Sequence, residues 1–192
     1  PGEGLLIGKR QIKALLAVSA EEKEVFKEEY VIKGKWFDRD DVFKIIISES
    51  LRKALSEDLK EEIEPGSRIK IWNQEFTIKG IIMDEALSGI VDIDQKEILP
   101  ASLEEAQLRG AEAYLSPFHI IIVPYKFAME YFNVQPNVIS IKIRGTPEDI
   151  YRFSENLALA LPFDPYYGFS ERTAYGEEVY RSNRLAIRER YV

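Results

Sequence analysis

The chain has 192 residues, no cysteine, and a formal charge of -7 from 26 basic and 33 acidic side chains. The missing thiols exclude disulfides, thiol catalysis and cysteine-bound metal, and the acidic balance argues against a general nucleic-acid role, which needs clustered Lys and Arg. With 45% hydrophobic and 31% charged residues, the composition is globular rather than disordered, and the length suits one domain or two small lobes with a sizeable core.

In chain order, 11–18 is a short apolar run with strand-like flanks. Ser19 and Glu22 form a Ser-x-x-Glu capping box, which predicts a helix to about residue 29. Residues 31–41 read as a loop carrying Gly34, and 42–47 as a buried strand rich in β-branched side chains. Ser48 caps a predicted helix whose apolar stripe is Leu51, Ala54, Leu55 and Leu59. After the turn at Pro65-Gly66, 68–72 and 75–82 alternate between polar and apolar residues about Asn73-Gln74, the pattern of a tight hairpin with one buried face.

Beyond 83 the pattern is weaker. A short strand is expected at 90–93, and a helix at 101–113 with Ser102 and Glu105 as a second capping box. A buried strand is expected at 118–123, ending at Pro124, then a short helix at 125–132 and a strand at 137–144. Thr146-Pro147-Glu148-Asp149 is a strong helix start, with a capping hydroxyl, a first-turn proline and acids at the positive helix end, and this helix should reach about 161. The tail from 162 is aromatic and less regular, and 177–191 reads as a final helix. Strands and helices alternate, yet one hairpin is antiparallel, so the predicted class is α+β with mixed sheets.

The longest apolar runs, 45–47 and 118–123, fall far short of the about 20 residues that span a bilayer, and no signal-peptide pattern is present. A start at Pro1-Gly2 without Met reads as a segment of something longer, with membrane segments expected in the flanks.

Chemistry-bearing residues are few. His119 is the single histidine, too isolated for a histidine-based metal site or triad and expected to be structural. Asp38, Asp40 and Asp41 form an acidic cluster without the glycine and distal glutamate of a calcium loop. Asp92 and Asp94, two apart, have the spacing of an acid–base pair on a strand, although 33 acids produce such pairs by chance. No nucleophile elbow, phosphate-binding loop or dinucleotide fingerprint occurs. Hence no catalytic, cofactor or metal residue is assigned. The aromatic tail residues Phe163, Tyr166, Tyr167, Phe169 and Tyr175 are candidates for a partner surface, because aromatics are enriched at interfaces. Arg181, Arg184, Arg188 and Arg190 suit a helix whose cations sit near lipid headgroups.

One ordered set of phrases resembles a known family. It contains Gly34, Lys35, Trp36, Phe37 and Asp41, followed by Ile45-Ile46-Ile47-Ser48 and the helix from Leu51 to Leu55. Then come Gly66, Ile69, Ile71, Phe76, Ile78, Gly80 and Ile81 in a G-x-x-I-x-I-x-x-x-x-F-x-I-x-G-I phrase. Val123, Pro124 and Ala128 follow in a strand-to-helix phrase, and a further strand and amphipathic helix occupy 139–161. This order resembles the extracytoplasmic core domain of ABC-transporter permeases of the MacB and FtsX type.

The resemblance implies a two-lobed fold, with a β-rich lobe (42–117) inserted in an α/β lobe (1–41 plus 118–192). It implies a non-enzymatic role outside the membrane, engaging substrate or a partner protein and transmitting conformational change. The implied partners are the parent membrane helices, a cytoplasmic ATPase subunit and a second copy in the full transporter. Two alternatives from other classes are a soluble hydrolase using Asp92 or Asp94 and a freestanding ligand-binding module.

Overall fold

The structure is a computed structural model. It describes residues 5–91, 97–102, 106–108 and 113–133, single positions between 146 and 156, and the strand backbone at 168–172, 178–181 and 186–189. Two compact units are present: Pro1–Ile90 with Glu97–Val134, and Val91–Lys96 with Gln135–Val192.

The first unit holds strands β1 (Leu5–Ile7), β2 (Arg10–Ile12), β3 (Ala14–Val18), β4 (Val31–Gly34), β5 (Lys44–Ser48), β6 (Arg68–Ile71), β7 (Gln74–Ile82) and β8 (Ile120–Pro124). Its helices are α1 (Lys23–Phe26), α2 (Glu49–Leu59), α3 (Asp84–Ser88) and α4 (Tyr125–Phe132). Six strands form one sheet in the order β3-β8-β5-β7-β4, with β6 also on β7. β3 is parallel to β8 and β5 to β7, while β5 is antiparallel to β8, and β4 and β6 are antiparallel to β7. The sheet is mixed and the fold α+β, in agreement with the class predicted from sequence.

A sheet with a core on each face needs strands that are apolar on both sides. β5 meets this need with Ile45, Ile46 and Ile47, all fully buried. Ile45 and Ile47 join Leu51 and Leu55 of α2 and Phe127 of α4 in one cluster, whereas Ile46 joins Trp36, Phe37, Phe26 and Ile122 in the other. Trp36 stacks obliquely on Phe26 with 4.7 Å between centroids, and its buried Nε1–H has no acceptor among the described residues. α2 starts where Ser48 Oγ accepts the Leu51 N–H at 3.2 Å, and it ends at Lys60, which takes φ +55. Asp84 of α3 binds the start of α2, accepting the Ser50 N–H at 2.9 Å and the Ser50 hydroxyl.

Glycine fixes the β4–β7 crossing. Gly34 pairs with Gly80, and a Cβ on Gly34 would lie 2.2 Å from the Lys79 carbonyl oxygen, one on Gly80 2.8 Å from that of Lys35. Both glycines of the sequence phrase are therefore places where two backbones touch.

Several expectations are corrected. Residues 31–34, read as loop, are β4, because β7 extends past β6 and offers its last residues as a pairing edge. The helix expected to reach 29 is a 3-10 turn, the single turn α1 and a second 3-10 turn, broken where Lys27 takes φ +44. The hairpin turns on Trp72-Asn73 rather than Asn73-Gln74. Phe118 and His119 lie in a 3-10 turn ahead of β8. β5 and β7 hydrogen-bond to β8 and β4, so one sheet takes its strands from both early and late parts of the chain.

In the second unit, β9 (Gly168–Arg172), β10 (Glu178–Arg181) and β11 (Ala186–Glu189) form an antiparallel sheet in the order β11-β10-β9. The final helix expected at 177–191 is thus two strands. Val179 and Tyr180 favour strand, and Ser182-Asn183 between the two strands is a turn signal. Arg181 and Arg188 lie on β10 and β11, not on a helix. The predicted strand at 137–144 lies outside the described residues, as do parts of the strand at 90–93 and the helix at 101–113 and much of the helix from 146.

Candidate interaction surface

Two members of the acidic cluster at 38–41 are occupied structurally. Asp38 and Asp41 both accept from the Lys79 ammonium, and Asp41 also accepts the Asp38 N–H at 2.8 Å. Burial of Lys79 would depress its pKa, but the two carboxylates prevail and hold it above the ordinary value. The hydrogen bond from Lys79, with its charge, holds the Asp38 carboxyl below its ordinary value. The arrangement clamps the 35–43 loop to β7, and Asp40 stays exposed. Among the described residues no group of three or more His, Asp or Glu is placed to hold a metal.

His119 Nδ1–H donates to the Gln11 carbonyl at 3.0 Å, and its ring meets Phe118 edge-on at 5.0 Å. It joins β2 to the turn before β8. Asp92, Asp94, Phe163, Tyr166, Tyr167, Tyr175, Arg184 and Arg190 lie outside the described residues, and Phe169 is described only as strand backbone.

A surface the sequence reading did not select stands out instead. The β6–β7 turn has Trp72 at φ +49 and Asn73 at φ +64, a type I′ turn whose twist matches the strands it joins. Asn tolerates this conformation, but a bulky residue pays about 1–2 kcal/mol for it. The side chain of Trp72 is thrown outward at the hairpin tip. α4 ends beside it, closed by Asn133 at φ +50, whose N–H donates to Met129 O at 3.1 Å.

Helical spacing buries Phe127 and Ala128 of α4 and leaves its last turn outside. Trp72 and Tyr131 are each 53% exposed, Met129 47% and Phe132 45%.

These exposed rings are braced from within. Phe76 and Phe127, both buried, meet edge-on at 5.0 Å. Tyr131 stacks on Phe127 at 5.0 Å and meets Phe43 at 5.2 Å. Phe132 meets Phe127 at 5.6 Å, and Trp72 meets Phe132 at 5.3 Å. A chain of ring contacts therefore runs from the core to the hairpin tip, each worth about 0.5–1.5 kcal/mol. The result is a rigid apolar surface of Trp, Tyr, Phe and Met, the residue types enriched at protein interfaces. One signal in the sequence could have found it: Trp72 occupies a turn position where Asn, Asp or Gly is the usual choice.

No protein-family model matches the chain, and no curated protein matches it. Among solved structures, the fold is similar to the periplasmic region of MacB from Actinobacillus actinomycetemcomitans, with 15% sequence identity and a TM-score of 0.47, over 81% of this chain and 61% of that one. The chain thus spans less than two thirds of the structure it resembles.

Proposed function

We propose that the chain is a non-enzymatic extracytoplasmic domain of an ABC-transporter permease of the MacB and FtsX type, and that it engages a partner protein or the transported substrate through Trp72, Met129, Tyr131 and Phe132. The observation that carries the binding role is the braced aromatic surface. Half-exposed rings held by buried ones are pre-organised, so little ordering entropy remains to oppose binding. The permease assignment is supported by the ordered phrases, whose residues have consistent physical roles. Gly34 and Gly80 allow two backbones to touch, Ile45 to Ile47 fill the central strand, and Ser48 caps the helix that follows. In this role the cytoplasmic ATPase subunit supplies the energy, and the domain passes rigid-body motion between membrane helices and partner.

The test uses the full-length protein in its host. These 192 residues lack cysteine, so Lys70→Cys, in a full-length protein cleared of any cysteine elsewhere, supplies a single reporter near the hairpin tip. A membrane-impermeant maleimide should label it in intact spheroplasts, and the protein should stay with the membrane after alkaline carbonate washing. Labelling only after lysis would overturn the extracytoplasmic assignment. A cross-linker attached at Asn73→Cys should give a discrete adduct that disappears when Phe132→Ser is added. An adduct indifferent to Phe132→Ser would remove this surface from the binding role.

A further inference from the structure

The β1–β2 hairpin is attached to its unit by side chains more than by backbone. Among the described residues its two strands pair only with each other. At its tip three donors converge on one carboxylate: Asp58 accepts the Lys9 N–H at 3.2 Å, Arg10 Nε at 2.8 Å and Arg10 Nη2 at 2.9 Å. Asp58 lies in the last turn of α2, and its side chain is only 8% exposed. The Arg10 contacts form a bidentate fork, the strongest ion-pair geometry available to a protein.

At the other end, the Lys13 N–H donates to His119 O at 2.9 Å and His119 returns a bond to Gln11 O. Between the two ends, Ile7 and Ile12 enter the apolar cluster that contains Leu55, Ile63 and Ile69, while Leu6 and Gln11 face water.

We propose that this hairpin is a latch: it opens and closes as one unit on an otherwise folded body, held shut at its tip by Asp58 and hinged at Lys13 and His119. A two-stranded hairpin is marginal by itself. One carried by a single apolar row and the ion pairs of Arg10 with Asp58 and, at 4.0 Å, Glu57 opens at a free energy below that of global unfolding. Opening uncovers the apolar side chains of α2 and β6 that Ile7 and Ile12 cover. On the permease assignment, motion of the chain ahead of Leu5 reaches the body through this element. The latch itself does not depend on that assignment, and its test reads neither location nor transport, so the two fail separately.

Hydrogen exchange of the whole chain, read by mass spectrometry, tests it. Backbone amides of 5–12 should exchange faster than those of β5 and β8. Asp58→Asn and Arg10→Gln should each accelerate 5–12 by about tenfold or more while β5 and β8 stay unchanged, and the double variant should add little, because both changes remove one clamp. A second variant fixes the tip covalently. A Cβ at position 8 would lie 3.4 Å from that of Asp58, close to disulfide geometry, so Gly8→Cys with Asp58→Cys, when oxidised, should slow 5–12 to the rate of β5 and, when reduced, release it. Acceleration spread equally over β5 and β8 in the single variants, or no difference between oxidised and reduced forms in 5–12, would overturn the latch.

Discussion

Phe132 holds the ring of Trp72 edge-on, 5.3 Å between centroids and 73° between planes. One residue closes a hairpin and the other ends a helix, and Phe132 in turn rests on buried Phe127. The backbone at Trp72 is strained and its side chain is half in water, a combination that contributes little to folding. Strain of this kind persists where the surroundings over-determine it, often at binding sites.

Folding and binding should therefore separate at Trp72. Trp72→Asn relieves about 1–2 kcal/mol of backbone strain and forfeits a ring contact worth about 0.5–1.5 kcal/mol. Urea unfolding should show stability within about 1 kcal/mol of wild type, whereas cross-linking to a partner from Asn73→Cys should be lost. A loss of several kcal/mol would mean that the ring serves the fold.

Bracing is tested one layer deeper. Phe127→Leu keeps an apolar side chain in the core and should cost about 1 kcal/mol, but it removes the ring against which both Tyr131 and Phe132 lie. Near-ultraviolet circular dichroism should weaken while the far-ultraviolet signal holds, and partner capture should fall with it. An unchanged aromatic signal would show that the outer rings do not depend on the inner ones.

The two kinds of left-handed glycine should differ in cost. Gly34 has φ +80 and faces the Lys79 carbonyl, whereas Gly66 has φ +98 and open space. Gly66→Ala should cost only backbone strain, about 1–2 kcal/mol, and Gly34→Ala about 3 kcal/mol or more, because β4 and β7 must also separate. Denaturant midpoints decide it, and equal costs would contradict the close approach.

Stability should depend on pH at both extremes. Asp38 is held below its ordinary value of 3.8 by the hydrogen bond from Lys79. Burial would raise Asp58, but the bonds from Arg10 and Lys9 prevail and lower it. For depressed carboxyls the stabilisation is present above the unfolded value and lost as pH falls through the folded one, so stability should drop below about pH 4. Glu22, raised chiefly by burial, works in the opposite sense. Lys79 is raised despite its burial, so its contribution is complete below 10.5 and lost as pH rises past its folded value. Thermal scans of Lys79→Met should show a shallower loss at both ends, and a profile parallel to wild type would exclude the clamp as its source.

Elements specified by local pattern were legible. The stretch 125–132 reads as a helix and is α4, Ser48 caps α2, and the alternation of Ile69 and Ile71 with Arg68 and Lys70 marks the buried face of β6. Elements specified by a distant partner were not. β4 is a strand because β7 offers it an edge, whereas β10 and β11 are neighbours in sequence whose local strand and turn signals the helical reading of 177–191 passed over. The aromatic surface escaped for the same reason as β4. Trp72 and Phe132 lie far apart in sequence and become neighbours only after the hairpin and α4 are placed.

The pairing of β8 between β3 and β5 also sets an order of events during synthesis. β5, β6 and β7, with α2 between them, can assemble from nearby sequence, but β8 is made much later, and closing that loop is slow. Until Ile121 and Ile122 arrive opposite Ile47 and Ile46, one edge of an isoleucine-rich strand stands open, a template for any other extended chain. Chains that stall before residue 120 should therefore be the species that aggregates and that a chaperone meets first.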